Sequence, residues 1–420
     1  MSEALEVGSH GAMEAAMPRL SHLRRHDRIV VGGGGPVGAV TALLLAQAGL
    51  PVTLLEHERG VVLDYRASTF HPPTLDLLEE SGITDALVAM GLIAPTMQIR
   101  DRRQGRIAEF DLSALKHDTH HPYRLQCEQF KLVEWAYGRL RAMGADLRLG
   151  HRIASLARAA DEVLIEVESD AGRETLAADI LIACDGGRSI VRKALGIDFE
   201  GFTYPEHFGV AGTRFDFHSC LADICSVNYT ADPVEWFLLL QIPDMWRIVL
   251  PADASRRPED ALSERSLQAS LQNILPRTED YEITVRAIYR VHQRIAKTYR
   301  SGRVFLAGDA AHLNNPLGGM GLNGGLHDAI SLTDRLIAVW HGHADEAVLD
   351  GYEPQRRSEA INAIQAITAR NKRLMEERDP DIRERNLDEL RRTAADPALS
   401  YQYLLDASMI SSLRRSGMLQ

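Results

Sequence analysis

Three acids stand where short apolar stretches end: Glu56 after "PVTLL", Asp185 after "ILIAC" and Asp309 after "VFLAG". Beside each lies a cluster of small residues. Carboxylates accept hydrogen bonds from hydroxyl groups, and glycine-rich turns let backbone N–H groups approach phosphate. The chemistry offered is therefore the holding of a long ligand that carries both. A dinucleotide is such a ligand. The segment "RIVVGGGGPVGAVTALLLAQAGLPVTLLEHE" carries the fullest version. It reads as a strand over residues 28–31, a tight turn, a helix over 39–48 capped by Gly49, and a second strand over 52–55. Gly33, Gly35 and Gly38 fall as G-x-G-x-x-G where strand becomes helix. The first glycine permits the turn, the second lets backbone meet a pyrophosphate, and the third lets helix and strand pack closely. Glu56 follows at the spacing of about 20 residues at which a carboxylate takes the adenosine ribose hydroxyls. This segment alone does not separate NAD from FAD.

The other two acids narrow the choice. "ADILIACDGGRSIVRKALGI" is a buried strand over 180–184 that runs into Asp185, two glycines and a helix starting near Ser189. "VFLAGDAAHLNNPLGGMGLNGGLHDA" repeats the plan, with a strand over 304–307, Gly308 and Asp309 at its end, and a helix beginning near Leu322. A chain that held only NAD would have no use for two further acid-bearing strand ends. A helix N-terminus presents unpaired N–H groups and stabilises negative charge, which reduced flavin carries at N1 and O2.

With these motifs in order, the chain from Asp27 to about Ser358 resembles the class A flavin-dependent aromatic hydroxylases of the para-hydroxybenzoate hydroxylase type. "GGGPVG" is similar to that family's FAD fingerprint, "DILIACDGGRSIVRKALG" to its DG motif and "GRVFLAGDAAHLNNPLGGMGLNGGLHDA" to its GD motif. The resemblance implies that Asp185 belongs to a motif serving both FAD and the nicotinamide donor, and that Asp309 accepts from the ribityl hydroxyls. It implies that Pro316 and the glycines after it meet the isoalloxazine ring, with Gly321, Leu322 and Asn323 at its pyrimidine edge. In "DYRASTF" Arg66 takes the place of an arginine at the pyrophosphate, and in "YRLQCEQF" Gln126 that of a glutamine touching the cofactor. The implied reaction starts with NADH or NADPH reducing FAD. O₂ then forms a flavin C4a-hydroperoxide, which hydroxylates an electron-rich aromatic ring. The implied fold is α/β, a Rossmann-like FAD-binding domain interleaved with a β-sheet substrate domain, followed by C-terminal helices.

The elements that must position these residues can be assigned along the 420-residue chain, which is long enough for more than one core. Residues 1–26 read as a flexible leader. Residues 27–92, 123–197 and 293–370 are assigned to the FAD-binding domain, 93–122 and 198–292 to the substrate domain, and 371–420 to a helical segment used for packing or as an interface. Between 208 and 250 the stretches "HFGVAGTRFDF", "ICSVNYT", "EWFLLLQI" and "WRIVLP" read as antiparallel strands, one face of which should cover the flavin. His71, His207 and Tyr229 are the candidate catalytic groups, with Trp236 and His292 as further candidates. A histidine that titrates near neutrality would take a phenolic proton.

Composition excludes other partners. The net charge of -11 and the lack of a dense basic cluster disfavour nucleic acid and anionic membrane. The four cysteines form no CxxC pair, and no apolar run reaches the twenty or so residues of a membrane span. A soluble, cytoplasmic protein that takes a small aromatic substrate and O₂ is expected, and interface helices would fit a homodimer. "KHDTHHP" lacks a carboxylate at ligand spacing, so no metal is expected. A flavin-dependent halogenase needs a lysine beside the flavin, yet none lies between Asp27 and Leu115. The alternative kept open is a non-oxygenating FAD-binding redox sensor or reductase on the same scaffold.

Overall fold

Ile29–Gly32, Val52–Glu56, Ile180–Ala183 and Val304–Leu306 are buried along their whole length. Near-continuous apolar strands of this kind need cover on both faces, the condition of a parallel sheet between helices. In the computed structural model, which describes residues 25–159, 161–221, 223–253 and 255–419, they form the centre of a six-stranded sheet. The leader expected over 1–26 lies almost wholly outside the described residues. The strand order is Arg300–Ser301, Val304–Leu306, Ile180–Ala183, Ile29–Gly32, Val52–Glu56, Asp146–Leu149, and all but the first pair are parallel. Val31 sits opposite both Ile182 and Leu54. Parallel strands in this register end at one edge, so Glu56, Asp185 and Asp309 are brought to the same side of the sheet.

The first helix, Pro36–Gln47, begins three residues before the expected 39 because Pro36 occupies its first turn, where the missing N–H costs nothing. It packs against Gln129–Ala142 and the long helix Met320–Trp340. The latter starts at Met320, ahead of the expected Leu322, on Gly319 in the left-handed region.

A second, eight-stranded sheet runs in the order His312–Leu313, Ile283–Ala296, Phe199–Thr213, Met245–Ala252, Phe237–Ile242, Val227–Ala231, Thr96–Asp101, Gly105–Asp111. Pairing is antiparallel except between Val227–Ala231 and Thr96–Asp101. The sequence pattern marks four of the eight strands; among the four it misses is Ile283–Ala296, whose many arginines and half-exposed residues hide its alternation. Val210, Tyr229, Leu238, Leu240 and Val249 share one face and one core. Ala211, Leu239, Ile248 and Leu250 share the other, closed by the helix Glu264–Ile274.

The C-terminal helices Pro380–Ala395, Pro397–Ala407 and Ile410–Arg415 join the first of these cores through Leu387, Leu390, Leu404 and Ile410. Two of them open on an Asp-Pro pair, in which Asp379 and Asp396 each accept two backbone N–H groups. Among the described residues no helix is long and apolar enough to cross a membrane.

Candidate active site

A cleft of about 740 Å³ opens where the parallel strands end. Through shared walls at Arg66, Asp185, Asp309 and Gly321 it continues into a space of about 1060 Å³ beneath the large sheet. At its first end the walls are backbone. Gly33 has φ +100°, and a side chain there would overlap the Cys184 carbonyl; one at Gly38 would overlap the Gly33 carbonyl. A side chain at Gly35 would meet nothing within 4 Å. Two of the three glycines thus serve the protein's own packing, and the middle one faces open space where a phosphate would sit at the N-terminus of Pro36–Gln47. Glu56 Oε2 accepts the Gly34 N–H at 2.6 Å and its Oε1 that of Glu58 at 2.7 Å. The Gly34 carbonyl accepts from the Tyr137 hydroxyl at 2.8 Å. Glu56 therefore anchors the glycine turn while lining the cleft.

Asp185 also has two uses. Its Oδ2 accepts the N–H groups of Ile190 (2.7 Å) and Val191 (3.2 Å), fixing the start of the short helix Ile190–Ala194, while Oδ1 is buried without a partner. Asp309 opens onto the cleft yet lies deep in the protein. That enclosure pushes its carboxyl above the usual range, against the pull of the Arg66 guanidinium and His312. Arg66 lines both parts of the cleft with its fork turned onto Asp64, Nε at 2.9 Å and Nη2 at 2.6 Å, a pairing that raises its already high pKa. Pro316 and Gly321 line the part beneath the large sheet, and Leu322 the part at the glycine turn.

Two of the expected cofactor residues are enclosed by protein. Gln126 is fully buried; its Oε1 accepts from Ser68 and Thr69, while its Nε2 is buried without a partner. Gln129, at the first turn of the following helix, is the glutamine on the cleft wall. Asn323 is also fully buried. Its Oδ1 accepts from the His71 N–H (2.9 Å) and Thr74 Oγ1 (2.7 Å), and its Nδ2 donates to Thr69 and Gly319 carbonyls. With both atoms of its side-chain amide engaged, Asn323 ties the long helix to the strand Thr69–Phe70, and Gly321 and Leu322 beside it line the cleft.

The catalytic candidates separate by position. His71 is fully buried, and its Nε2 donates to the Gly318 carbonyl at 2.9 Å. Burial, helped by the charge of Arg124, lowers its pKa to about 3, so it is a neutral strut rather than a base titrating near neutrality. His207 alternates with Phe208 and Val210, which face the cleft-side core, so it points to the sheet's other face. Trp236 is core, edge-on to Phe208 at 4.9 Å. Tyr229 and His292 do line the cleft. His292 is held by Thr203 at 2.9 Å, and burial and three arginines lower its pKa.

The sequence pattern does not single out Arg247 and Tyr289, which line the same wall. A lone charge at an inward position of the apolar strand "MWRIVLPA" is the available signal for Arg247. His120 and His121 of "KHDTHHP" meet Glu79 and Tyr123, and no trio of potential ligands among the described residues is placed to hold a metal.

These residues fit FAD. An open backbone position at Gly35, an orphaned buried carboxylate oxygen on Asp185, a cleft-facing Asp309 and two helix N-termini lie along one continuous space. The comparisons agree. A family model described as "FAD binding domain" matches residues 26–367. The chain is 36% identical over 394 residues to para-nitrophenol 4-monooxygenase of Pseudomonas sp. (strain WBC-3), covering 92% of this chain and 97% of that one. It is 33% identical over 358 residues to 6-hydroxy-3-succinoylpyridine 3-monooxygenase of Pseudomonas putida, covering 84% and 90%. Among solved structures, p-nitrophenol 4-monooxygenase from Pseudomonas putida superposes with a TM-score of 0.87 at 34% identity, covering 92% of this chain and 97% of that one. A ternary complex of aklavinone-11 hydroxylase with FAD and aklavinone superposes at 0.73 with 26% identity, covering 83% and 69%.

Proposed function

The chain belongs to the class A flavin-dependent aromatic hydroxylases, FAD enzymes that oxygenate aromatic compounds, and from that premise we propose that it uses NADH or NADPH and O₂ to hydroxylate a small phenolic or hydroxypyridine ring. One observation carries the reading. The cleft that begins at the glycine turn ends under an apolar sheet face, so a ligand long enough to fill it brings its far end to that face. Bound FAD supplies hydride acceptance and oxygen activation; the protein supplies placement and exclusion of water. Leu238, Leu240 and Val249 give the ring an apolar wall, with the Tyr229 hydroxyl among them. Pro316 and Gly319 close the opposite side. The nicotinamide donor has no glycine fingerprint of its own in the chain and reaches the flavin in passing. The names of the two relatives, a nitrophenol and a hydroxypyridine enzyme, point to single acidic rings as substrates. Four free cysteines and dependence on reduced nicotinamide suit the cytoplasm.

The test is a panel of hydroxylated benzenes, benzoates and pyridines scored for ligand-stimulated NAD(P)H oxidation, with mass detection of product. One or more rings should stimulate consumption and gain one oxygen atom. Stimulation by none, with flavin bound, would favour a redox sensor or reductase instead.

A further inference from the structure

The three acids at the strand ends are held in two different ways. Glu56 and Asp185 each accept backbone N–H groups close to them in the chain, so each fixes the turn it lines. Asp309 accepts no hydrogen bond from any described residue, although with Asp185 it lines both parts of the cleft. Its turn is fastened by a different carboxylate, that of Asp328 in the middle of the long helix Met320–Trp340.

Asp328 Oδ2 accepts the Gly308 N–H at 3.0 Å and a hydrogen bond from His312 Nε2 at 2.8 Å. One oxygen therefore grips both ends of the turn from Gly308 to His312, with Asp309 between them. Gly308 stands in the left-handed region at φ +61°. Glycine has many other conformations open to it, and the shared oxygen selects this one. On its far side Asp328 Oδ1 accepts from Arg356 Nε at 2.7 Å, and Arg356 Nη2 donates to the Gly324 carbonyl at 3.2 Å. Asp328 and Arg356 are fully buried and His312 nearly so. A buried ion pair adds little stability over apolar side chains of similar volume. What an apolar side chain cannot do is accept the Gly308 N–H.

We propose that Asp328 is the positioning residue for Asp309: it clamps the turn from behind, with Arg356 and His312 holding the clamp in place, so that the whole Asp309 carboxylate is left to FAD. The inference rests on Asp309 as a cofactor ligand and does not depend on which ring is oxygenated.

FAD binding to the full chain, read by flavin fluorescence, tests this without turnover. Asp328→Leu combined with Arg356→Met removes both charges and the acceptor, and should raise the FAD dissociation constant about thirtyfold. Asp328→Asn combined with Arg356→Met removes the same charges but keeps an oxygen for Gly308 and His312, and should stay within about threefold of the native value. In protein already carrying Asp309→Ala, the Leu and Met pair should cost no more than about threefold further, because the clamp then has no carboxylate to aim. Equal affinities in the two double variants overturn the proposal, as does the full loss recurring beside Asp309→Ala. Unchanged affinity in Asp309→Ala alone overturns it too. Should neither double variant fold, His312→Phe carries the test with the Asp328 to Arg356 pair intact. It should weaken FAD about tenfold in the native background and add no further loss beside Asp309→Ala. Equal losses in both backgrounds, or none in either, overturn the clamp. The expected pattern in a protein that oxygenates no ring would retire the functional reading and leave the clamp standing.

Discussion

At the glycine-turn end of the cleft the walls are main chain: Gly33 to Gly35, the end of the strand that carries Glu56, and the first turn of Pro36–Gln47. At the large-sheet end they are side chains, with Tyr229, Leu238, Arg247 and Val249 arriving from three consecutive strands and Tyr289 from the later strand Ile283–Ala296. A common dinucleotide can be held by backbone, because phosphates and ribose hydroxyls need only N–H groups and a few carboxylates. A particular aromatic ring needs shape and charge, which only side chains give. The two ends should therefore respond differently to substitution.

The largest effect should follow from Gly38→Val, which forces a side chain into the Gly33 carbonyl; the strain, on the order of 3 kcal/mol or more, should leave little soluble flavoprotein. Recovery of yellow, fully active protein would show that the turn tolerates what the packing forbids. Asp309→Ala should come next. It keeps the fold but raises the FAD dissociation constant about a hundredfold, as read by flavin fluorescence, and no change would remove Asp309 from the cofactor site. Gly35→Ala has room for its methyl group and should keep its thermal midpoint within about 2 °C, yet weaken FAD by about tenfold because the space it enters is the ligand's.

His71, buried behind the Gly318–Asn323 turn, should show itself through pH rather than rate. Its folded pKa lies near 3, below the ordinary 6.5, so the folded state resists a proton that the unfolded chain accepts. Stability from this residue is whole above about pH 6.5 and falls by about 1.4 kcal/mol per pH unit as pH drops toward 3. His327, also buried and held neutral, contributes in the same direction. Chemical denaturation of His71→Gln between about pH 7 and pH 5 should give a shallower decline than the native protein, and parallel curves would show that His71 is exposed to protons in the folded state. The smallest effect belongs to His207→Ala. It sits on the face away from the cleft and should leave kcat/KM within about twofold; a tenfold loss would put the sheet the wrong way round.

The same contrast explains how much of the molecule is legible in the chain. The three glycine motifs are local, and each carries its strand, turn and helix within about thirty residues, so the parallel sheet and the cofactor end can be read from the residues alone. For Gln126 and Asn323 less is legible, because a motif fixes the neighbourhood of a residue and leaves the direction of its side chain undecided. One is turned into the core by its strand, and the other is spent on tying a helix to a strand. The substrate face depends on which strand lies beside which. That ordering brings Arg124, from a small separate sheet, behind Tyr229 on the large one. Parity along the strand Met245–Ala252 turns Arg247 inward, but only the neighbours show that inward means toward the cleft.

The central claim, that one continuous cleft couples the flavin to oxygenation of a ring at the sheet face, is tested most directly by turnover under isotopically labelled dioxygen with the ring that best stimulates NAD(P)H consumption. The account predicts one labelled oxygen atom in the aromatic product and none without FAD. NAD(P)H consumption that yields only hydrogen peroxide, or product oxygen drawn from water, would contradict it.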